Sequence, residues 1–166
     1  MVEHKSKIAI VFIGTGNYIS FFDQWKKCVD KNFLVGHNKT VFVFSDTLVS
    51  AEDTVSTIVE NYKWPWATLY RFKMMLEAKK DLEKFDYIFY IDSDLHPKSD
   101  ILLEELITGK PLVGVQHPGN FVNPDWYTWE DNKASTAFIS GDMSDYGSRA
   151  VYFQGCLWGG NSKEVI

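Results

Sequence analysis

Two cysteines, Cys28 and Cys156, are too few for a disulfide framework, so the chain reads as a domain for a reducing compartment. No apolar run approaches the ~20 residues of a membrane span. Met1 to Lys7 carry no apolar leader core, and the expected location is the soluble cytoplasm. Basic residues are in deficit: 17 Lys and Arg against 22 Asp and Glu, a net charge of −5, which speaks against a nucleic-acid surface. No Gly-Lys-Ser/Thr triplet exists, which excludes a Walker phosphate loop. No Gly-x-Ser-x-Gly elbow exists either, which argues against a serine hydrolase. His37, His96 and His117 are scattered, without zinc-type spacing. Internal repeats and low-complexity stretches are absent.

What remains is 166 residues with 45% hydrophobic content, enough for one self-supporting domain, expected over 1–166. Aromatic residues make up 16% of the chain, which leaves rings to line a site as well as to fill a core. Lys7 to Ile13, Thr40 to Ser45 and Tyr87 to Ile91 are near-continuous apolar runs, the pattern of strands buried on both faces of a parallel sheet. Val55 to Val59 and Pro111 to Val115 are further strands, as are Ala134 to Ile139 and Ala150 to Trp158. Phe21, Phe22, Trp25, Cys28 and Val29 recur at helical spacing, with Gly36 just beyond. A long helix is expected from Leu69 to about Phe85, and a short one over Ile101 to Ile107 with Asp100 as its cap. Residues 117–133 read as loop. Strands alternating with helices give an α/β class with a mixed central sheet, Rossmann-like in layout.

The chemistry concentrates at Asp92-Ser93-Asp94, directly after the strand Tyr87 to Ile91. Open α/β sheets bind ligands beyond the carboxyl ends of their strands. Two carboxylates there can share one hard divalent cation, which would bridge to a diphosphate and stabilise its growing charge as it leaves. Thirteen aspartates would yield roughly one Asp-x-Asp by chance, and a solvated turn accounts for the triplet taken alone. The five apolar residues before it favour the cation site. Arg71 is either a solvated helix charge or a cation over the diphosphate or sugar. Gly14-Thr15-Gly16-Asn17-Tyr18 carries part of a dinucleotide fingerprint but has Ile19 where the third glycine would stand. It is either a plain turn or a base pocket in which Tyr18 or Phe12 stacks a ring.

In order along the chain, short segments resemble the family 6 glycosyltransferases, which include the blood-group A and B transferases and α-1,3-galactosyltransferase. They are Val11-Phe12 through Tyr18; Phe33-Leu34-Val35-Gly36-His37; Trp66 through Arg71-Phe72-Lys73; Asp92-Ser93-Asp94; Thr128-Trp129-Glu130; Ser135 to Ile139; and Tyr152 through Gly160. The resemblance implies a GT-A fold and transfer of a hexose from a UDP-sugar to a glycan acceptor, in α linkage, with retention at the anomeric carbon. It implies that Phe12 and Tyr18 hold uracil, that Asp92 and Asp94 bind Mn²⁺, that Ser93 lies near the ribose and that Arg71 contacts the donor sugar. Gln154, Gly155 and Cys156 fall where the family sets donor and acceptor choice. Cys156 is bulkier than the glycine that goes with GalNAc, so Gal is favoured.

Three departures accompany the resemblance. The family's C-terminal His-Asp-Glu-Ser segment, which supplies the candidate anomeric-face carboxylate, is missing. Its acceptor-side Trp-Trp is replaced near Val115-Gln116-His117-Pro118. The membrane anchor and stem of animal members are missing too, so a microbial or viral member is expected. Within this chain Asp142 and Glu130 become the candidate catalytic carboxylates, with Asp145 nearby in sequence. The alternatives are a module that binds UDP-sugar or glycan without turnover, a glycogenin-like retaining transferase, and an α/β scaffold without a ligand.

Overall fold

The computed structural model describes residues 5–63, 65–123, 132–136 and 151–166. Among the described residues, six strands form one sheet in the order β3-β2-β1-β4-β6-β5, where β1 is Lys7–Ile13, β2 Asn38–Ser45, β3 Thr54–Ile58, β4 Tyr87–Ile91, β5 Leu112–Gln116 and β6 Phe153–Asn161. The first four strands pair in parallel, and β6 runs antiparallel to β4. The expected α/β class with a mixed sheet is therefore the observed one. Two compact units make up the chain, Met1–Val113 with Cys156–Ile166, and Gly114–Gly155. Among the described residues no helix is long and apolar enough to cross a membrane.

The period-2 alternation of buried strands divides the core in two. Ile8, Ile10, Phe12, Val41, Val43, Phe89 and Ile91 face one way. They pack against Phe22, Trp25 and Val29 of helix α1 (Phe22–Asn32), which follows a 3₁₀ turn at Gly16–Phe21. Ala9, Val11, Ile13, Phe42, Phe44, Ile88 and Tyr90 face the other way, against Met74, Met75 and Leu82. The end of α1 is closed by Lys39, whose ammonium donates to the carbonyls of Val29, Asp30 and Phe33 at 3.0, 2.7 and 2.7 Å. The Val29 carbonyl also accepts from the Phe33 amide at 3.0 Å, whereas that of Asp30 belongs to the last turn, whose carbonyls a helix end leaves without intrahelical donors.

The long helix expected from Leu69 to Phe85 is instead three pieces: α2 (Trp66–Leu69), α3 (Arg71–Glu77) and α4 (Lys79–Leu82). The breaks fall at Tyr70 and Ala78, whose backbones sit near φ −90° and ψ 0°. Partly and fully buried positions (67, 70, 71, 74, 75, 78 and 82) keep helical spacing across both breaks, and neither proline nor glycine marks them, so periodicity cannot report them. The helix expected over Ile101 to Ile107 is shorter, α5 (Leu103–Leu106), because Ile101 is drawn into a bridge with Phe33. Its first turn is held by the Glu105 carboxylate, which accepts from the Leu102 amide at 2.7 Å, and not by Asp100.

In the second unit, α6 (Pro118–Val122) occupies part of the stretch read as loop. Proline suits a first helical position, where an amide proton has no intrahelical acceptor. The His117 ring accepts from the Gly119 amide at 3.0 Å. Buried Asn120 accepts from the Gln116 side chain at 2.8 Å and the Tyr152 amide at 3.0 Å. Of the strand expected at Ala134 to Ile139, residues 134–136 are turn, held by the Asn132 carboxamide on the Ala134 amide. Residues 137–139 lie outside the described residues. The chain ends in α7 (Ser162–Val165).

Glycines make room for β6. A Cβ on Gly159 would collide with the Ile88 carbonyl on β4, and one on Gly160 with the Pro111 carbonyl beside β5. Gly160 also sits at φ +145°, which side-chain-bearing residues rarely adopt.

Candidate active site

The sheet grows from β1 outward to β2 and β3 on one side, then returns to add β4 on the other. Chain order reverses between β1 and β4, and their carboxyl ends flank the crevice where open α/β sheets bind ligands. A cleft of about 490 Å³ lies there, within the usual size range of small-molecule sites. One wall is the turn after β1, from Thr15 to Tyr18; another is Asn61, Tyr62 and Lys63 with Ala67, Thr68 and Arg71; the third is Tyr90 with Asp92, Ser93 and Asp94.

The turn after β1 is pinned from below. Gly16, at φ +58°, donates its amide to the Asp46 carboxylate at 2.9 Å, and the Thr15 hydroxyl donates to the Tyr62 carbonyl at 3.4 Å. This leaves Tyr18 56% exposed at the mouth of the cleft. Phe12 does not join it. Its ring is fully buried on the α1 face of the sheet, with centroids 5.2 Å from Phe22 and 4.9 Å from Trp25. Strand alternation sends it there, so of the two rings expected to hold a base only Tyr18 lines the cleft.

Asp92 follows the last residue of β4 and is held by its backbone. Its amide donates to the Cys156 carbonyl at 2.8 Å, and its carbonyl accepts from the Trp25 indole at 3.1 Å and the Leu95 amide at 3.0 Å. Its Oδ1 accepts from the Tyr90 hydroxyl. Burial first, then the Asp92 charge, pushes the Tyr90 phenol far above its ordinary range, so it is a donor at neutral pH. Ser93 is buried and Asp94 exposed.

Arg71 is buried, 8% exposed, contrary to the usual lot of a helix arginine. A charge taken from water needs partners. Its Nε donates to the Thr68 carbonyl at 3.0 Å, and its guanidinium lies 4.5 Å from the centre of the Tyr90 ring. Cys156, on β6, has its thiol pushed up, by burial first and by the Asp92 charge second. Gln154 and Gly155 precede it on β6, in the second unit. Glu130, Asp142 and Asp145 lie outside the described residues.

Could these residues hold a cation? Among the described residues no cluster of three His, Cys, Asp or Glu side chains is arranged for a metal ion. Asp92 and Asp94 supply two carboxylates on one cleft wall, and Asp92 keeps Oδ2 clear of the Tyr90 contact. An all-oxygen pair of this kind fits a hard divalent ion that draws its remaining ligands from a diphosphate and water.

A model of glycosyltransferase family 6 matches residues 2–166. The chain belongs to that family. It is 30% identical over 161 residues to the O-antigen biosynthesis glycosyltransferase WbnI of Escherichia coli, a match covering 93% of this chain and 66% of WbnI. It is 24% and 25% identical over 173 residues to the histo-blood group ABO system transferases 2 and 1 of Rattus norvegicus. Those matches cover 97% of this chain, and 49% and 47% of the rat proteins. The chain thus spans from about half to two-thirds of the length of these relatives.

Sequence reasoning missed Tyr90, Trp25 and the wall at Asn61 to Lys63. Tyr90 was within reach: alternation along β4 carries residues 88, 90 and 92 to one face, so a tyrosine two places before the first aspartate points the same way as that carboxylate. Nothing in the sequence joins Trp25 to Asp92, because that contact spans 67 residues.

Proposed function

We propose that this chain forms the donor site of a metal-dependent, retaining glycosyltransferase that moves a hexose from a UDP-sugar to a glycan acceptor in α linkage. The observation that carries this reading is one cleft lined together by Asp92, Asp94, Arg71 and Tyr18 at the crossover of a GT-A-type sheet. Relatives named for O-antigen biosynthesis and histo-blood group transfer support a saccharide acceptor.

Each wall has a task in this reading. Tyr18 offers a ring face to uracil, and Ser93 lies toward the ribose. Asp92 and Asp94 would hold Mn²⁺, which when bound neutralises charge on the departing diphosphate. Arg71, fixed by Thr68 and Tyr90, orients the donor sugar and presents a cation that needs no reorganisation as charge develops. Cys156 is not on these walls but holds the Asp92 amide through its carbonyl, and from there it would limit the space for a 2-acetamido group, favouring Gal over GalNAc. Retention needs a group on the sugar face opposite the diphosphate, and Asp142 and Glu130 are the candidates for it.

Calorimetry with UDP, with and without Mn²⁺, tests the donor site. Binding should require the metal and be lost in Asp92→Asn and Asp94→Asn, with the melting temperature unchanged. Equal affinity with and without Mn²⁺ would remove the metal from the reading. UDP release that depends on an added acceptor separates transfer from binding without turnover. Cys156→Gly should admit UDP-GalNAc; a wild-type preference for UDP-GalNAc over UDP-Gal would overturn the role of Cys156.

A further inference from the structure

We propose that Tyr90 is a positioning residue of the donor site, fixing the Asp92 carboxylate with its hydroxyl and the Arg71 guanidinium with its ring. This rests on the reading of the cleft as a metal-dependent UDP-sugar site. Tyr90 is 4% exposed, yet it contributes to the cleft wall. Its hydroxyl donates to Asp92 Oδ1, and its ring centre lies 4.5 Å from the Arg71 guanidinium carbon. One side chain therefore touches both the anion meant for the cation and the cation meant for the sugar.

The ring is itself held. Tyr90 pairs directly across the sheet with Trp158, and the two rings stack with centroids 5.4 Å apart and planes 23° apart. Phe72, next to Arg71 on α3, packs on Trp158 at 5.0 Å. With its ring fixed, Tyr90 offers its hydroxyl in a defined direction. Occupying Oδ1 selects Oδ2 of Asp92 as the oxygen presented to a cation. Hydrogen-bond partners of this kind set ligand orientation, and losing one typically weakens metal binding by 10- to 100-fold. The ring face supports the guanidinium through its quadrupole, a contact that phenylalanine keeps and an aliphatic side chain does not.

The two ends of the side chain can be separated by two variants. In Tyr90→Phe the hydroxyl is lost and the ring kept. The Mn²⁺ concentration giving half-maximal UDP binding, followed by the paramagnetic resonance of free Mn²⁺ and by calorimetry, should rise about tenfold. UDP affinity at saturating Mn²⁺ should stay at the wild-type value, since excess metal rescues a mispositioned ligand but not a damaged fold. In Tyr90→Leu the preference for UDP-sugar over UDP should fall as well, as it should in Arg71→Ala. An unchanged or lower Mn²⁺ midpoint in Tyr90→Phe, or a loss that saturating Mn²⁺ does not relieve, overturns the positioning role while the donor-site reading stands. If the wild type itself takes up neither Mn²⁺ nor UDP, the donor-site reading falls, and the role of Tyr90 with it.

Discussion

On one face of the sheet, α1 runs for 11 residues without a break, presents Phe22, Trp25 and Val29 to the strands, and has its end closed by the Lys39 ammonium. On the other face, residues 66–82 form three short pieces that bury an arginine and leave Trp66, Leu69, Phe72 and Leu76 at 50–59% exposure. The first face follows the main local pattern, with apolar residues turned in and the helix's C-terminal end satisfied, and Asn32 is the one polar residue that α1 buries. The second breaks that pattern in several ways at once, and it is the side that carries Arg71, Tyr90 and Asp92. Consistency across levels makes a stable fold, and departures from it are expected where a site must be built. The α1 face should therefore govern stability and the α3 face ligand affinity.

The largest effect tests the first half of that contrast. Trp25 is fully buried against Phe12 and Phe22, and its indole also holds the Asp92 carbonyl. Trp25→Ala should cost about 3–5 kcal/mol, the usual range for a large aromatic removed from a core. Urea denaturation measures it. A cost below about 1 kcal/mol would mean that α1 does not carry the stability assigned to it.

Lys39→Met should come next, at about 1.5 kcal/mol, because three carbonyls lose a charged donor. Burial works against the ammonium and pulls its pKa down, which keeps the expected cost at the low end. UDP affinity, measured in parallel, should not move. A change in affinity without a change in stability would place Lys39 in the machinery of the site instead.

How much of this contrast could be read from residues alone follows from its physics. β1 and β4 were legible end to end because strands covered on both faces are uninterrupted apolar runs, and such runs need no tertiary information. The strand-end position of Asp92 and Asp94 was legible for the same reason. The α3 face was not. Tyr70 and Ala78 interrupt a pattern that stays periodic, so the breaks leave no mark in sequence. The burial of Arg71 depends on a carbonyl three residues away and on the ring of Tyr90, 19 positions along the chain. Phe12 shows the opposite error: a ring near a nucleotide segment was read as ligand-facing, where alternation along β1 turns it into the core.

Arg71→Ala sharpens the second half of the contrast. The variant relieves the desolvation of a buried cation but also removes its Thr68 hydrogen bond and its Tyr90 contact, so any loss of stability should stay below that of Trp25→Ala, at most about 2 kcal/mol. UDP-sugar affinity should fall about tenfold and UDP affinity much less, in line with a contact to the sugar. Calorimetry with both ligands reads the difference. Equal losses would assign Arg71 to the diphosphate, and no loss for either would leave it as packing alone.

The smallest effect is expected at the exposed leucines of the α3 side. Leu69 and Leu76 are 59% and 56% exposed, so each has little apolar surface to lose from the core. Neither lines the cleft. Glutamine keeps the length and has a helix propensity close to that of leucine, so Leu69→Gln and Leu76→Gln should each change stability by no more than about 0.5 kcal/mol. The ratio of UDP to UDP-sugar affinity should also stay fixed, because neither residue lines the cleft. Thermal denaturation and calorimetry on the two single variants check both statements. A loss above about 1 kcal/mol in either would show that this face is packed as tightly as the α1 face, and the division of labour between the two sides of the sheet would fail.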